Sequence, residues 1–302
     1  MESKNFYITT TLPYVNGEPH LGFATEIIRA DIIARHKRQT GYEVFFNTGT
    51  DEHGQKVAQS AEKAGVSPLA FCDEVSQKFR DVLEPFQISN DDFIRTTEQR
   101  HKDTVAKVWK KLIDNGEIYL GKYAGWYAIR DEAFYAESEI VDGKAPTGAE
   151  VEWVEEPSYF FRLCRWRERL LEFYEKNPDF IAPESRRNEV ISFVKGGLLD
   201  LSVSRTSFGW GIPVPGDEDH VMYVWLDALV NYLSALDGHE NSEFWPCDIH
   251  MVGKDILRFH AVYWPAFLMA AGMEPPKRVF AHGWWTNEGE KISKSLGNVI
   301  DP

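Results

Sequence analysis

Two stretches, one towards each end of a 302-residue chain, carry side chains suited to handling phosphate. Near the start, His20 and Gly22 close the loop Leu12-Pro13-Tyr14-Val15-Asn16-Gly17-Glu18-Pro19-His20-Leu21-Gly22. An imidazole can donate to a phosphate oxygen, and a glycine lets an anion approach backbone N–H groups at a helix start. Near the other end, Lys291-Ile292-Ser293-Lys294-Ser295-Leu296-Gly297-Asn298 sets two ammonium groups among hydroxyls. Such a loop could meet phosphate, although for a lone run a solvated basic loop is the favoured reading. Between them lies the run Asp51-Glu52-His53-Gly54. Three adjacent residues in a turn rarely converge on one metal ion, so a role for Asp51 in holding a substrate ammonium is the better reading.

The elements that must position these groups follow from periodicity and breakers. Phe6 to Thr11 is β-branched and aromatic, a buried strand stopped by Pro13, Asn16, Gly17 and Pro19. Ile27, Ile28, Ile32 and Ile33, set amid Glu26, Arg29, Asp31 and Arg35, predict a helix, and Glu43 to Thr48 a second strand, which completes a βαβ unit. Ser67-Pro68 starts a helix expected to run to about Phe86, Asp92 to Thr97 is a short strand, and Glu98 to Asn115 a helix stopped by Gly116. From about Ile118 to Phe161 the texture changes to what reads as short aromatic strands. Helices are expected over 159–174 and 184–194. Val221 to Leu226 then reads as a strand entering a helix over 227–236, Asp248 to Gly253 as a strand, Ile256 to Ala271 as a helix, and Val279 to Trp284 as the last strand. The expected fold is α/β, a doubly wound parallel sheet interrupted by a β-rich insertion. Its expected parts are 1–117, 118–215 and 216–302.

Composition narrows the class. With 43% hydrophobic and 14% aromatic residues the chain is expected to fold around a sizeable core. No apolar run reaches the ~20 residues of a membrane-spanning helix, and the first residues lack a signal-like apolar stretch, so no membrane association and a cytoplasmic location are expected. Cys72, Cys164 and Cys247 are too few and too scattered for a disulfide framework. A net charge of −14 argues against a surface that clamps nucleic acid broadly, while leaving room for local basic faces at 35–38, 186–187 and 291–294.

The loop ending His20-Leu21-Gly22-Phe23 and the loop Lys291 to Ser295, in this order, resemble the two signature motifs of class I aminoacyl-tRNA synthetases. Thr10 to Gly17, Thr48 to Gly54 and Tyr223 to Ala228 are similar to the methionyl-tRNA synthetases within that class, and the resemblance covers essentially the whole chain. It implies activation of methionine by ATP with Mg²⁺, followed by transfer to tRNA(Met), by a monomer. It assigns His20, Lys294, Lys291 and Arg205 to catalysis, and Thr11, Gly22, Gly253, Asp255, Lys291 and Lys294 to ATP. Methionine would be held by Leu12, Tyr14, Asp51, Trp225, Leu229, Tyr232, Ile256, His260 and Trp264. By spacing alone, Trp225, Leu229 and Tyr232, and likewise Ile256, His260 and Trp264, are equally ordinary inward helix faces.

Two departures from the family pattern stand out. Phe23 occupies a place where a second hydrogen-bonding group is usual, and a phenyl ring cannot donate to phosphate. In the insertion, positions expected to hold zinc ligands are Ala128, Asp131 and Ala145, so no structural zinc is expected there, and Trp126, Tyr127, Phe134, Tyr135 and Trp153 are expected to hold the module instead. The resemblance is to a catalytic region only, so the chain as given is expected to form the adenylate but to charge tRNA poorly. Competing readings are another class I synthetase, a small-metabolite nucleotidyltransferase, and an inactive ATP-binding paralogue.

Overall fold

The computed structural model describes residues 4–131, 133–135, 137–236, 242–283, 286–287, 290–291 and 302. The first half alternates strand and helix as its periodicity predicts. Strand β1 (Lys4–Thr10) leads through the breaker-rich loop into α1 (Leu21–Gln39), then β2 (Tyr42–Thr50), α2 (Gln55–Ala64), α3 (Pro68–Asp81), β3 (Asp92–Arg95) and α4 (Gln99–Asp114). Ser67 caps α3, its hydroxyl accepting from the Ala70 N–H, with Pro68 in the first turn. That helix stops at Asp81, short of the expected Phe86, because the chain turns through Leu83, which is buried, and Gln87, whose φ is +52°.

The middle of the chain holds β4 (Ile118–Ala128), β5 (Ala133–Tyr135), β6 (Glu152–Phe161), α5 (Arg167–Lys176), β7 (Ile181–Ala182), α6 (Glu184–Lys195), β8 (Leu201–Ser202), β9 (Ser204–Arg205), β10 (Pro213–Val214) and β11 (Asp217–Met222). Several expectations are corrected here. The strands of the insertion are long, β4 and β6 forming an antiparallel hairpin from Ile118↔Phe161 to Tyr127↔Glu152. Tyr159 to Phe161 therefore belong to a strand and not to a helix, since they pair with Leu120 to Ile118, and the helix begins only at Arg167. Residues 221–222 do not enter the main parallel sheet. They pair antiparallel with Arg205 and Ser204 in a small three-stranded sheet of order β10-β11-β9.

The last part comprises α7 (Val224–Leu229), α8 (Asn231–Ser234), β12 (Ile249–Gly253), α9 (Trp264–Ala270), β13 (Val279–His282), β14 (Thr286–Asn287) and β15 (Glu290–Lys291). The single helix expected over 227–236 is two short ones, and the helix expected over 256–271 is a 3₁₀ turn at 254–256, a π-helical turn at 259–263 and only then α9. Trp284 lies outside the described residues.

The main sheet has six parallel strands in the order β3-β2-β1-β12-β13-β7, the edge strand β7 being one that sequence reading missed. From β1 the chain winds outward to β2 and β3, and later from β12 to β13 on the other side. The reversal of direction falls between β1 and β12, in the register Ile8↔Ile249, Thr9↔His250 and Thr10↔Met251. In an open α/β sheet the crevice beyond the carboxyl ends of such a pair is where ligands bind. Thr10 and Gly253 end these two strands, so the loop carrying His20 and the turn carrying Asp255 leave from one crevice.

Candidate active site

His20 sits at the N-cap of α1, and its Nδ1 accepts from the Gly22 N–H at 3.0 Å. A neutral ring whose Nδ1 accepts must carry its proton on Nε2, which makes Nε2 a donor. The positive end of the α1 dipole lies beside it, with no acidic residue in the first turn to oppose an anion. Gly22 leaves space for that ring, which the sequence did not suggest: a Cβ there would lie 2.7 Å from Cε1 of His20 as it stands. Phe23 turns into the core, 8% exposed and edge-on to Phe79 with ring centroids 5.1 Å apart, so its position supplies no donor.

Across the crevice, Glu26 gathers three groups. The Thr11 N–H and hydroxyl both donate to its Oε1, and its Oε2 lies 2.6 Å from Nε2 of His282 at the end of β13. The His282 Nδ1 is 2.9 Å from the Gly283 carbonyl, so both ring nitrogens face acceptors. Burial favours the neutral ring, but the hydrogen bond and charge of Glu26 outweigh it and raise the His282 pKa above its ordinary value. Thr11 is thus engaged by Glu26. Gly253 leaves room for the Asp255 carboxylate, since a Cβ there would lie 2.8 Å from Asp255 Oδ1.

Most of the residues that the resemblance assigns to the amino acid lie in or against one apolar cluster. Leu229, Tyr232 and Trp264 are buried in one apolar cluster, and Tyr14, Trp225 and Ile256 pack against it. Tyr14 is bridged to Asp51, whose N–H donates to the Pro13 carbonyl and whose carbonyl accepts from the Val15 N–H. Asp51 therefore lies against the loop between β1 and α1, and Leu12 is half-buried in that loop. The Tyr232 hydroxyl lies 2.7 Å from Nε2 of His260, whose Nδ1 is 3.0 Å from the Ile256 carbonyl. A carbonyl can only accept, so His260 carries its proton on Nδ1 and accepts a hydrogen bond from the tyrosine hydroxyl at Nε2.

Behind this pair the Trp264 indole N–H donates to Nε2 of His250 at 3.2 Å, and His250 Nδ1 is 2.7 Å from the Thr9 hydroxyl. Burial holds both imidazoles neutral, with His260 lowered to about 4 and His250 lowered well below its ordinary value. This group of packed rings is therefore aromatic and uncharged. Sequence reading missed Phe259, whose ring stacks on Trp225 with centroids 3.6 Å apart and planes 7° off parallel. It lies in the π-helical turn, a local irregularity that frequently marks functional sites.

Arg205 is buried in β9, donating to the Ser202 hydroxyl and the Ser204 carbonyl, with its guanidinium over the rings of Tyr223 and Tyr127. Contact with a triphosphate would require it to leave these partners. Lys291 is placed on β15, and Lys294 lies outside the described residues.

In the insertion, Ala128 and Ala145 meet Ala149 in a small buried cluster on which Tyr135 and Val151 pack. Asp131 accepts from the hydroxyls of Tyr135 and Thr147. The expected aromatics contribute unequally: Trp126 and Trp153 meet edge to face at 5.4 Å, but Trp153 is 55% exposed. Among the described residues, no group of three or more His, Cys, Asp or Glu could hold a metal ion.

A switch-point crevice flanked by a capping histidine on the first helix and a carboxylate at the turn after β12 is the place where an open α/β sheet holds its ligand. A family model described as tRNA synthetases class I (M) matches residues 6–152 and 139–302, and the chain belongs to that family. Among curated relatives, methionine--tRNA ligase of Rickettsia conorii is 64% identical over 305 residues, with 99% of this chain and 60% of the relative covered. The enzyme of Rhizobium meliloti is 57% identical over 311 residues, at 100% and 60% coverage. The chain thus spans about three fifths of the length of these relatives. The Mycobacterium tuberculosis methionyl-tRNA synthetase in complex with methionyl-adenylate superposes with a TM-score of 0.95 at 55% identity, over 99% of this chain and 61% of that one. The apo form of the same synthetase gives 0.81 at 51% identity over 94% of this chain and 56% of that one.

Proposed function

We propose that the protein activates methionine with ATP to methionyl-adenylate and passes the methionyl group to tRNA(Met), as a methionine--tRNA ligase. The observation that carries this reading is a donor-presenting His20 at the sheet crevice together with a cluster of aromatic rings and neutral imidazoles, against which Tyr14 packs while its backbone pairs with Asp51. Methionine has an ammonium group that suits the carboxylate of Asp51. Its unbranched thioether suits ring faces and edges, at ~0.3–1.5 kcal/mol per contact.

In the reaction the methionine carboxylate attacks the α-phosphorus of ATP and pyrophosphate leaves, so the site's task is to stabilise charge spreading over phosphate oxygens. Nε2 of His20 donates to those oxygens, and the α1 N-terminus adds its dipole. Lys291 and Lys294 neutralise the departing pyrophosphate, and Mg²⁺ accompanies the ATP. Asp255, seated over Gly253, accepts from the ribose hydroxyls, and Thr11 and Gly22 shape the nucleotide side of the crevice. We read residues 1–117 and 216–302 as the catalytic halves and 118–215 as the intervening module, which lends its strand β7 to the edge of the main sheet.

ATP–pyrophosphate exchange with a panel of amino acids tests this directly. Exchange dependent on methionine is expected, and exchange with another amino acid but not methionine would overturn the reading.

A further inference from the structure

We propose that Asp227 is a positioning residue for the amino acid. Through His53 and His101 it holds the loop bearing Asp51 and the helices bearing Trp225, Leu229 and Tyr232 in one fixed relation, so that ammonium site and side-chain pocket are set together. This rests on the methionine-pocket reading above and extends it to residues that touch no substrate.

Asp227 lies on α7 between Trp225 and Leu229 and is fully buried. Its Oδ2 is 2.7 Å from Nδ1 of His53, and its Oδ1 is 2.7 Å from Nε2 of His101 on α4. The other His101 nitrogen, Nδ1, is 2.9 Å from the Ser234 hydroxyl. That hydroxyl donates its own proton to the Val230 carbonyl at 3.0 Å, so it accepts from the imidazole. The protons of Ser234 and of His101 Nδ1 thus run away from Asp227, whose two oxygens accept from His101 Nε2 and His53 Nδ1. Burial pushes the Asp227 acid up, but the charge of His53 and the hydrogen bonds from both rings outweigh it and bring it to about 2.

His53 follows Asp51 by two residues, and its immediate neighbours are fixed as well. The Glu52 carboxylate accepts from Arg95 Nε at 2.7 Å and Nη2 at 3.0 Å, the Trp210 indole donates to the Glu52 carbonyl at 2.6 Å, and the Gly54 N–H donates to the Trp210 carbonyl at 2.9 Å. The loop is thus held to its own side by Arg95 and Trp210, and the His53–Asp227 bond ties it across to the pocket helix. A second tie, Asn47 to Asn231 at 3.2 Å, lies one turn further along. Apolar side chains of similar volume would fill this space at no loss of stability, whereas a buried carboxylate with two directed donors fixes orientation.

The test is exchange kinetics with separate KM values for methionine and ATP. An Asn amide nitrogen stands near an imidazole Nδ1 and a Gln amide nitrogen near an imidazole Nε2. His53→Asn and His101→Gln therefore keep a donor towards Asp227, while His53→Ala and His101→Ala do not. Asp227→Asn, His53→Ala and His101→Ala are expected to raise the methionine KM about tenfold or more with the ATP KM within about twofold, and the two conservative variants to stay near wild type. A parallel rise in both KM values, equal loss in the alanine and conservative variants, or no change in Asp227→Asn would overturn the proposal. Should Asp227→Asn fail to fold, the His53→Ala and His53→Asn pair, which leaves the His101 bond in place, decides the matter. Wild-type exchange with a different amino acid would overturn only the methionine reading, with the clamp then judged on that amino acid's KM. Absence of any exchange would overturn both.

Discussion

The Gly22 backbone N–H donates to Nδ1 of His20 at 3.0 Å, and the place where a Gly22 side chain would stand is taken by the His20 ring. The glycine and the histidine therefore act as one unit, the first fixing the tautomer and aim of the second. Gly22→Ala should lower kcat for adenylate formation nearly as far as His20→Ala does, by about 10²-fold, with little change in methionine KM. Neither should shift the thermal unfolding midpoint by more than a few degrees. An unimpaired Gly22→Ala enzyme would show that this bond does not set the ring.

Tyr232→Phe removes the hydroxyl that lies 2.7 Å from Nε2 of His260 and leaves that buried nitrogen without its donor. A loss of ~1–3 kcal/mol is expected in denaturant unfolding, together with weaker methionine binding. An unchanged midpoint would indicate that His260 has found another partner.

Two sets of histidines should give stability an opposite dependence on pH. His250 and His260 are neutral by burial, with folded pKa values below the unfolded value of ~6.5. Their contribution is whole above ~6.5 and is lost as pH falls, for His260 towards about 4. The His282 pKa is raised by Glu26, so its contribution is whole below ~6.5 and fades as pH rises through the folded value. Urea titrations at a series of pH values should show stability declining on the acid side through His260. Replacing His282 by Gln should flatten only the alkaline limb.

The alanine cluster of the insertion should tolerate chelation and resist enlargement. Treatment with a strong chelator should leave the unfolding midpoint unchanged, with elemental analysis finding no stoichiometric zinc. Ala128→Leu, which forces extra methylenes into the contact with Ala145 and Ala149, should cost ~1–3 kcal/mol in thermal or denaturant unfolding. A zinc per chain that survives the chelator would contradict this account.

What the sequence determined by itself is local. The β-branched run Phe6 to Thr11, the breakers from Pro13 to Pro19 and the isoleucine spacing beyond Gly22 specify strand, loop and helix through near neighbours alone, and the structure places β1, the loop and α1 there. The aromatic spacing around Trp225 and Ile256 likewise marked the residues that converge on one cluster. Tertiary structure decided what depends on partners far along the chain. Strand character at Val221 and Met222 was legible, but not that Arg205 and Ser204 would be their neighbours, because propensity describes a backbone and not its partner. Arg205, which the resemblance assigned to catalysis, has its guanidinium over the rings of Tyr127 and Tyr223, neighbours that its sequence position did not reveal. The Asp227 carboxylate meets His53 and His101 across separations of 174 and 126 residues. No period of 2 or 3.6 encodes such a meeting, since it arises only when the winding of the sheet brings β2, α4 and α7 together and a charge removed from water must find its donors there.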